Sequence, residues 1–357
     1  MTAIISYSRN CFLCQGSVTA VDSKEYHILG LPSAYIGFGI CVGCRMIIQT
    51  PALPPKEMEY YYREIASYSN EGRNGKVSKN KELDVERQIH AVKLHICQFP
   101  TSIFQVGCSD GYTLSQFQKA GASEVSGIDP NDSARELAKY LYDIDVISGI
   151  FETFNTEKKF DCIVLTHVLE HMYHPEIALK KCFEMQNENS HILIEVPLFE
   201  RPERFQPGML EIEHLNYFSE NTLLALLKAG GYNPIQIEKL YYNNLYPVIM
   251  IIAKKEKNSF ATQSDSNYQI EIFQKYIHTE QKRWSDIYSV VRKNIPLTSD
   301  VYIWGSGIHT SQLFAFTSIQ KEYHITALLD SNQKKWGKKL ADYLCCSVND
   351  ILWKKND

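Results

Sequence analysis

Ile103-Phe104-Gln105-Val106-Gly107-Cys108-Ser109-Asp110-Gly111-Tyr112 decides the fold of this 357-residue chain. An apolar strand, Ser102–Val106, runs into a glycine-bearing turn, and a helical pattern begins at about Thr113. Gly107 and Gly111 let the backbone approach a ligand closely, and the helix N-terminus offers unpaired N–H groups. About twenty residues further on, the next apolar run ends in Gly127-Ile128-Asp129. An acidic side chain there is placed to bind the two hydroxyls of a ribose.

Working outward, apolar runs at 125–128, 160–165 and 191–196 alternate with helical stretches at 132–141 and 175–185. That alternation predicts an α/β protein with a doubly wound parallel sheet. A helix at 83–96 precedes it. A proline-bearing loop (Pro197, Pro202, Pro207) and a helix at 219–229, capped by Ser219 and Thr222 and ended by Gly230-Gly231, follow it. Runs at 234–241 and 247–254 predict an antiparallel hairpin added to the sheet. A polar linker and a charged, aromatic helix then lead to a second strand–glycine–helix unit at 301–307. Further strands are expected at 325–330 and 343–348.

The composition is ordinary for a globular protein: 44% apolar, 22% charged, with 37 Lys plus Arg against 41 Asp plus Glu. A net charge of −4 offers no field to attract nucleic acid or anionic lipid. No apolar run reaches the ~18 residues of a membrane span, and the N-terminus lacks the pattern of a signal peptide. These features predict a cytoplasmic protein.

Four of the ten cysteines form two pairs, Cys11-x-x-Cys14 and Cys41-x-x-Cys44. In a reducing compartment two such knuckles predict a closed four-sulfur site for structural Zn²⁺, with no open position for catalysis. The segment 1–60 is expected to lack a core of its own and to need the metal to hold it together. Residues 61–80 are polar and tyrosine-containing, and are expected to form a connector.

The glycine spacing separates two ligand classes. A pyrophosphate binder has G-x-G-x-x-G, but here Ser109 takes the middle position and the bulky Tyr112 the third. S-adenosylmethionine (SAM) has no phosphate and tolerates the larger polar turn. The cofactor residues on this reading are Gln105, Gly107, Cys108, Ser109 and Gly111 in the turn and Asp129 and Pro130 after the second strand. Phe151 and Glu152 stand where an apolar side chain would flank an adenine, and His167 lies at the carboxyl edge of the fourth strand.

The order VGCSDGY, GIDP, FDCIVLTHVLEHMYHP, ILIEVP and EHLNYFS resembles the class I SAM-dependent methyltransferases. With the double CxxC and the C-terminal WGSGIHT…LLDSN, it resembles the three-part sugar C-methyltransferases of deoxysugar pathways. The resemblance implies a zinc-binding domain (1–60), a connector over the active site (61–80), a Rossmann-like methyltransferase domain (81–255) and a shortened Rossmann-like C-terminal domain (256–357). It implies a nucleotide-activated sugar as acceptor, with Glu213 and His214 over the substrate and His171 facing it. Tyr62, Tyr68 and Tyr217 are the implied substrate-binding residues.

Histidine has a pKa suited to removing a proton at neutral pH, so His214 is expected as the base, with Glu213 orienting it. The family has a tyrosine three residues before this histidine, and this chain has Glu211. Carbon, oxygen and nitrogen acceptors therefore all stay open. A non-catalytic zinc and Rossmann scaffold, and an NAD-dependent oxidoreductase using Gly305 and Gly307, are the competing readings. The expected state is a monomer or homodimer.

Overall fold

The computed structural model describes residues 4–66, 76–201, 204–205, 208–241, 246–256 and 267–351, without the side chains of 267–269. Near the N-terminus, β1 (Val18–Tyr26), β2 (Ala34–Cys41) and β3 (Ile47–Gln49) form an antiparallel meander. This segment is not coreless, as the sequence had suggested. Tyr26, Ile36, Phe38, Ile40 and Ile47 are buried in a cluster shared with the C-terminal elements. The charge-poor run of β2 is apolar on both faces because both faces are covered.

Helix α1 (Pro55–Glu64) starts on a proline, whose missing N–H costs nothing in the first turn. It carries the expected connector's first residues as regular helix. Tyr68 falls in 67–75, outside the described residues. Helix α2 (Lys79–His95) starts where the Ser78 side chain accepts the Lys81 N–H.

The central layer then unfolds as the alternation requires: β4 (Ser102–Val106), α3 (Tyr112–Ala120), β5 (Glu124–Asp129), α4 (Asp132–Tyr142), β6 (Val146–Ser148), β7 (Phe160–Thr166), α5 (Pro175–Glu184) and β8 (Gln186–Pro197). A two-residue strand, β9 (Asn216–Tyr217), precedes α6 (Glu220–Gly230) and the hairpin β10 (Tyr232–Leu240) and β11 (Val248–Lys255). The seven-stranded sheet has the order β10-β11-β8-β7-β4-β5-β6, with the hairpin antiparallel to an otherwise parallel sheet. Ser219 and Thr222 cap α6 reciprocally, and Gly231 ends it at φ +85°.

The last unit comprises α7 (Asn267–Asn294), β12 (Asp300–Trp304), α8 (Ile308–Phe316), β13 (His324–Leu329), β14 (Lys339–Leu340) and β15 (Tyr343–Cys346). Its sheet order is β12-β13-β15-β14. The short β14 had no counterpart in the sequence reading.

Asp161 in β7 ties the sheet's lower edge together. Its carboxylate accepts from Thr101 N (3.1 Å), Thr101 Oγ1 (2.5 Å), Ser102 N (3.0 Å) and Asn187 Nδ2 (3.1 Å). Burial opposes ionisation, yet the bonds from Thr101, Ser102 and Asn187 win and hold the pKa at about 2. The stability this adds is present above the unfolded value near 3.8 and is lost as pH falls through about 2. After discounting for solvent screening, Asp161→Ala should cost about 1–2 kcal/mol at pH 7. Urea unfolding should show that gap closing between pH 4 and 2.

Candidate active site

The cofactor turn follows from steric demands. Gly107 and Gly111 sit at φ +65° and +78°. A Cβ on Gly107 would come within 2.6 Å of Val168 Cγ2, and one on Gly111 within 2.9 Å of Ala138 Cβ. Ser109, where a dinucleotide fingerprint has glycine, adopts φ +48° itself. Its N–H donates to Asp129 Oδ2 (2.8 Å), and the Asn131 N–H donates to Oδ1 (2.9 Å). Burial raises the Asp129 pKa and these two bonds counter it. Each carboxylate oxygen keeps a lone pair, which suits the vicinal hydroxyls of a ribose. Asp129→Ala should weaken S-adenosylhomocysteine binding by about 100-fold or more, as hydrogen bonds to a charged group are worth ~1.5–3 kcal/mol each. Calorimetry checks this; wild-type affinity in the variant would refute it.

Three of the expected cofactor side chains point elsewhere. Phe151 is buried in the core beside Phe104, with ring centroids 6.4 Å apart, and cannot flank a ligand ring. Cys108 is buried against Gly127, so it offers only backbone to the turn. Gln105 is likewise buried within β4. Pro130 follows Asp129 directly, and Glu152 stays half-buried with its carboxyl pushed up by desolvation.

The carboxyl end of β7 carries the acid–base groups. His167, at φ +56°, places Nδ1 3.4 Å from Glu170 Oε1 and Nε2 3.5 Å from Glu195 Oε1. Burial would lower its pKa, but Tyr246, Glu170 and Glu195 together raise it well above the usual histidine value. Glu195 is held in turn by Arg87 (2.6 Å) and Gln88 (3.3 Å). His171 and His214 lie with ring centroids 5.0 Å apart. Tyr62 reaches His171 Nδ1 at 3.2 Å.

Glu213 and His214 are adjacent in sequence but do not pair. Tyr61 donates to Glu213 Oε1 at 2.5 Å, while His214 Nε2 lies 3.3 Å from Glu211 Oε1. Desolvation raises Glu213 to about 7 and Glu211 to about 8, and with help from His171 lowers His214 to about 3. Tyr217 is buried, with its hydroxyl donating to the Met209 carbonyl and its ring against Phe38, so it packs and does not face a substrate.

The loop bearing these groups is anchored from the N-terminal sheet. β9 is the fourth strand of that sheet, pairing Ile47 with Tyr217 and Ile48 with Asn216. Gln49 donates to the Glu211 and His214 carbonyls (2.7 and 3.2 Å). Buried Arg9 donates to the carbonyls of Leu215 and Tyr173 and to Asn216 Oδ1. Sequence reasoning missed Arg9, Gln49, Tyr61, Glu170 and Glu195. A charge within the apolar string Val168-Leu169-Glu170 was a usable signal for one of them; the others showed none.

The cysteine pairs form two equivalent knuckles. Gln15 and Arg45, each following the second cysteine of its pair, sit at φ +58° and +64°. Each donates its N–H to the first cysteine's carbonyl, at 2.9 and 3.1 Å. The Sγ separations are 3.3, 3.5 and 3.8 Å between Cys14 and Cys41, Cys11 and Cys44, and Cys11 and Cys14. Zinc–sulfur bonds of ~2.3 Å give a tetrahedron with edges of about 3.8 Å, so the four thiols suit that ion.

A cavity of about 440 Å³ opens between Tyr61 and Glu213 on one side and the Gly305-Ser306-Gly307 turn on the other. Asp330, the counterpart of Asp129, is already engaged by the Ser306 N–H and hydroxyl, the Asn332 N–H and Lys335 Nζ. Three of these donors fall on Oδ2 and one on Oδ1, so a single lone pair of Oδ1 remains where a ribose needs two acceptors, which argues against a dinucleotide site here.

Comparison with known proteins follows the same division. Residues 80–237 match the model of a family described as a methyltransferase domain. The ubiquinone biosynthesis O-methyltransferase of Bradyrhizobium diazoefficiens is 25% identical over 114 residues, 30% of this chain and 44% of that protein. The match thus spans less than half of that curated relative. Among solved structures, the 1,6-didemethyltoxoflavin-N1-methyltransferase of Burkholderia thailandensis is 16% identical, covering 60% of this chain and 97% of its own, at a TM-score of 0.46. The N-methyltransferase NodS from Bradyrhizobium japonicum is 15% identical, covering 50% and 98%, at a TM-score of 0.41. With the turn, Asp129 and the sheet order in place, residues 80–237 form a SAM-dependent methyltransferase domain.

Proposed function

We propose that the whole chain is a SAM-dependent methyltransferase acting on a sugar carried by a nucleotide, with one structural Zn²⁺ on Cys11, Cys14, Cys41 and Cys44. The observation that carries this is the cavity joining Glu213 to the second glycine turn. It has room for an acceptor near the acid–base groups and for a phosphate-bearing tail beside the N-terminus of α8 and the ammonium of Lys335.

SAM supplies the electrophilic methyl group when bound. The chain's own residues align the acceptor, exclude water and take a proton. Glu213 lines the cavity with one oxygen fixed by Tyr61, which makes it the proton acceptor in place of His214, whose ring is engaged by Glu211 and the Met209 backbone. Ile65, Ala66 and Ile212 line the cavity alongside Glu213.

The test has two arms. Nucleoside diphosphates (UDP, dTDP) should bind by calorimetry, and Lys335→Ala should weaken them about tenfold. Nucleotide-sugar pools treated with SAM should gain one methyl by mass spectrometry. A keto-sugar acceptor methylated on carbon should also exchange its α-proton with deuterium when SAM is replaced by S-adenosylhomocysteine. No diphosphate binding and no methylated sugar would remove the sugar reading while leaving the SAM domain standing.

A further inference from the structure

We propose that Glu170, His171 and His214 form a second metal site, separate from the cysteine quartet, for a first-row divalent cation. One ligand atom from each lies within 4.8 Å of the other two. Bonds of roughly 2.1 Å place three ligands of one ion about 3.0–3.6 Å from one another, so closing on an ion draws these side chains together by up to about an ångström. Two imidazoles and one carboxylate are a donor set used for Zn²⁺, Fe²⁺ and related ions.

His171 is oriented as a metal-bearing imidazole is. His171 Nδ1 is pinned from outside by the Glu213 carbonyl (3.0 Å) and the Tyr62 hydroxyl (3.2 Å), which leaves Nε2 toward Glu170 at 3.8 Å. Such partners fix the tautomer and direct the remaining lone pair inward. His214 Nε2 lies 3.3 Å from Glu211 Oε1, so an ion taken up there displaces that carboxyl or gains it as a further ligand.

Glu170 supplies the independent observation. It is 1% exposed, and neither carboxylate oxygen has a hydrogen-bond partner among the described residues. His167 approaches Oε1 at 3.4 Å. That imidazole offsets part of the carboxylate's charge from one side, and the other oxygen, Oε2, is left with no donor, which is costly in a buried site unless a cation meets it. His171 keeps 21% of its side chain exposed, so an ion can reach the cluster. If the proposed acceptor reading holds, the ion's free positions would take an oxygen of that acceptor; metal binding itself does not rest on that reading.

Mn²⁺ distinguishes this site from the quartet, because it favours nitrogen and oxygen over thiolates. Zinc-replete protein should bind one Mn²⁺ per chain, seen as loss of the free-ion EPR signal, with electron spin echo modulation from histidine nitrogens. His171→Ala and His214→Ala should each weaken binding by on the order of 100-fold while keeping S-adenosylhomocysteine binding. Asp129→Ala should do the reverse. No Mn²⁺ uptake, no nitrogen modulation in the wild type, or unchanged affinity in both histidine variants would overturn the proposal. Should the variants fail to fold, the wild-type nitrogen modulation alone decides.

Discussion

Glu213→Gln should lower turnover by about 10²–10⁴-fold, the usual contribution of a general base, with S-adenosylhomocysteine affinity unchanged. The substitution keeps the shape and the contact with Tyr61 but cannot accept a proton from the acceptor. Tyr61→Phe should lose less, because it removes the group that fixes the carboxyl and leaves the carboxyl itself. Steady-state kinetics with a methylated product by mass spectrometry reads the loss, and calorimetry reads the cofactor. Full activity in Glu213→Gln would return the role to His214, the residue the sequence had favoured. Loss of activity together with loss of cofactor binding would mean that the substitution damaged the fold.

Removing zinc should have the larger effect on the whole molecule. Structural zinc is worth on the order of 10 kcal/mol or more in peptides. Cys11→Ser combined with Cys41→Ser takes one sulfur from each knuckle and should reduce bound zinc from one per chain to none by elemental analysis. The sequence alone suggested that residues 1–60 would need the metal to hold together, which predicts protease sensitivity there. The structure widens this, because Cys11 and Cys41 share a core with Met46, Ile48, Leu198 and Phe218. Cleavage should therefore also appear around 209–217, and turnover should fall with zinc content. Cofactor binding should fall less than turnover, since Gly107, Ser109 and Asp129 touch the cysteine knuckles only through the core shared with Val106 and Ile128. Freshly purified protein without zinc would end this reading.

What the sequence revealed depended on how local each signal was. The β4 turn and Asp129 were legible because glycine spacing and a strand end are properties of a few adjacent residues. Ser219 and Thr222 marked α6 for the same reason. Phe151 was misplaced because an apolar residue after a strand suits a ligand or a core equally, and Phe104 claimed it. β9 has two residues and no period to detect. Arg9, Gln49 and Tyr61 act on partners 207, 165 and 152 residues away, and no window of sequence contains both ends. The Glu213–His214 pairing looked natural by adjacency, yet neighbouring side chains in this loop leave the backbone in different directions.

The late arrival of β9 also sets an order of assembly. During synthesis the N-terminal meander emerges with β3 as a bare edge, and its partner at Asn216–Tyr217 follows much later. At ~5–20 residues per second that interval is on the order of 10–30 s. Through that time an apolar edge, Ile47-Ile48, stands unpaired toward solvent or a ribosome-bound helper. The loop that bears Glu213 and His214 thus gains its anchor late, and a nascent chain stalled before residue 216 would be a sticky fragment with an unpaired edge.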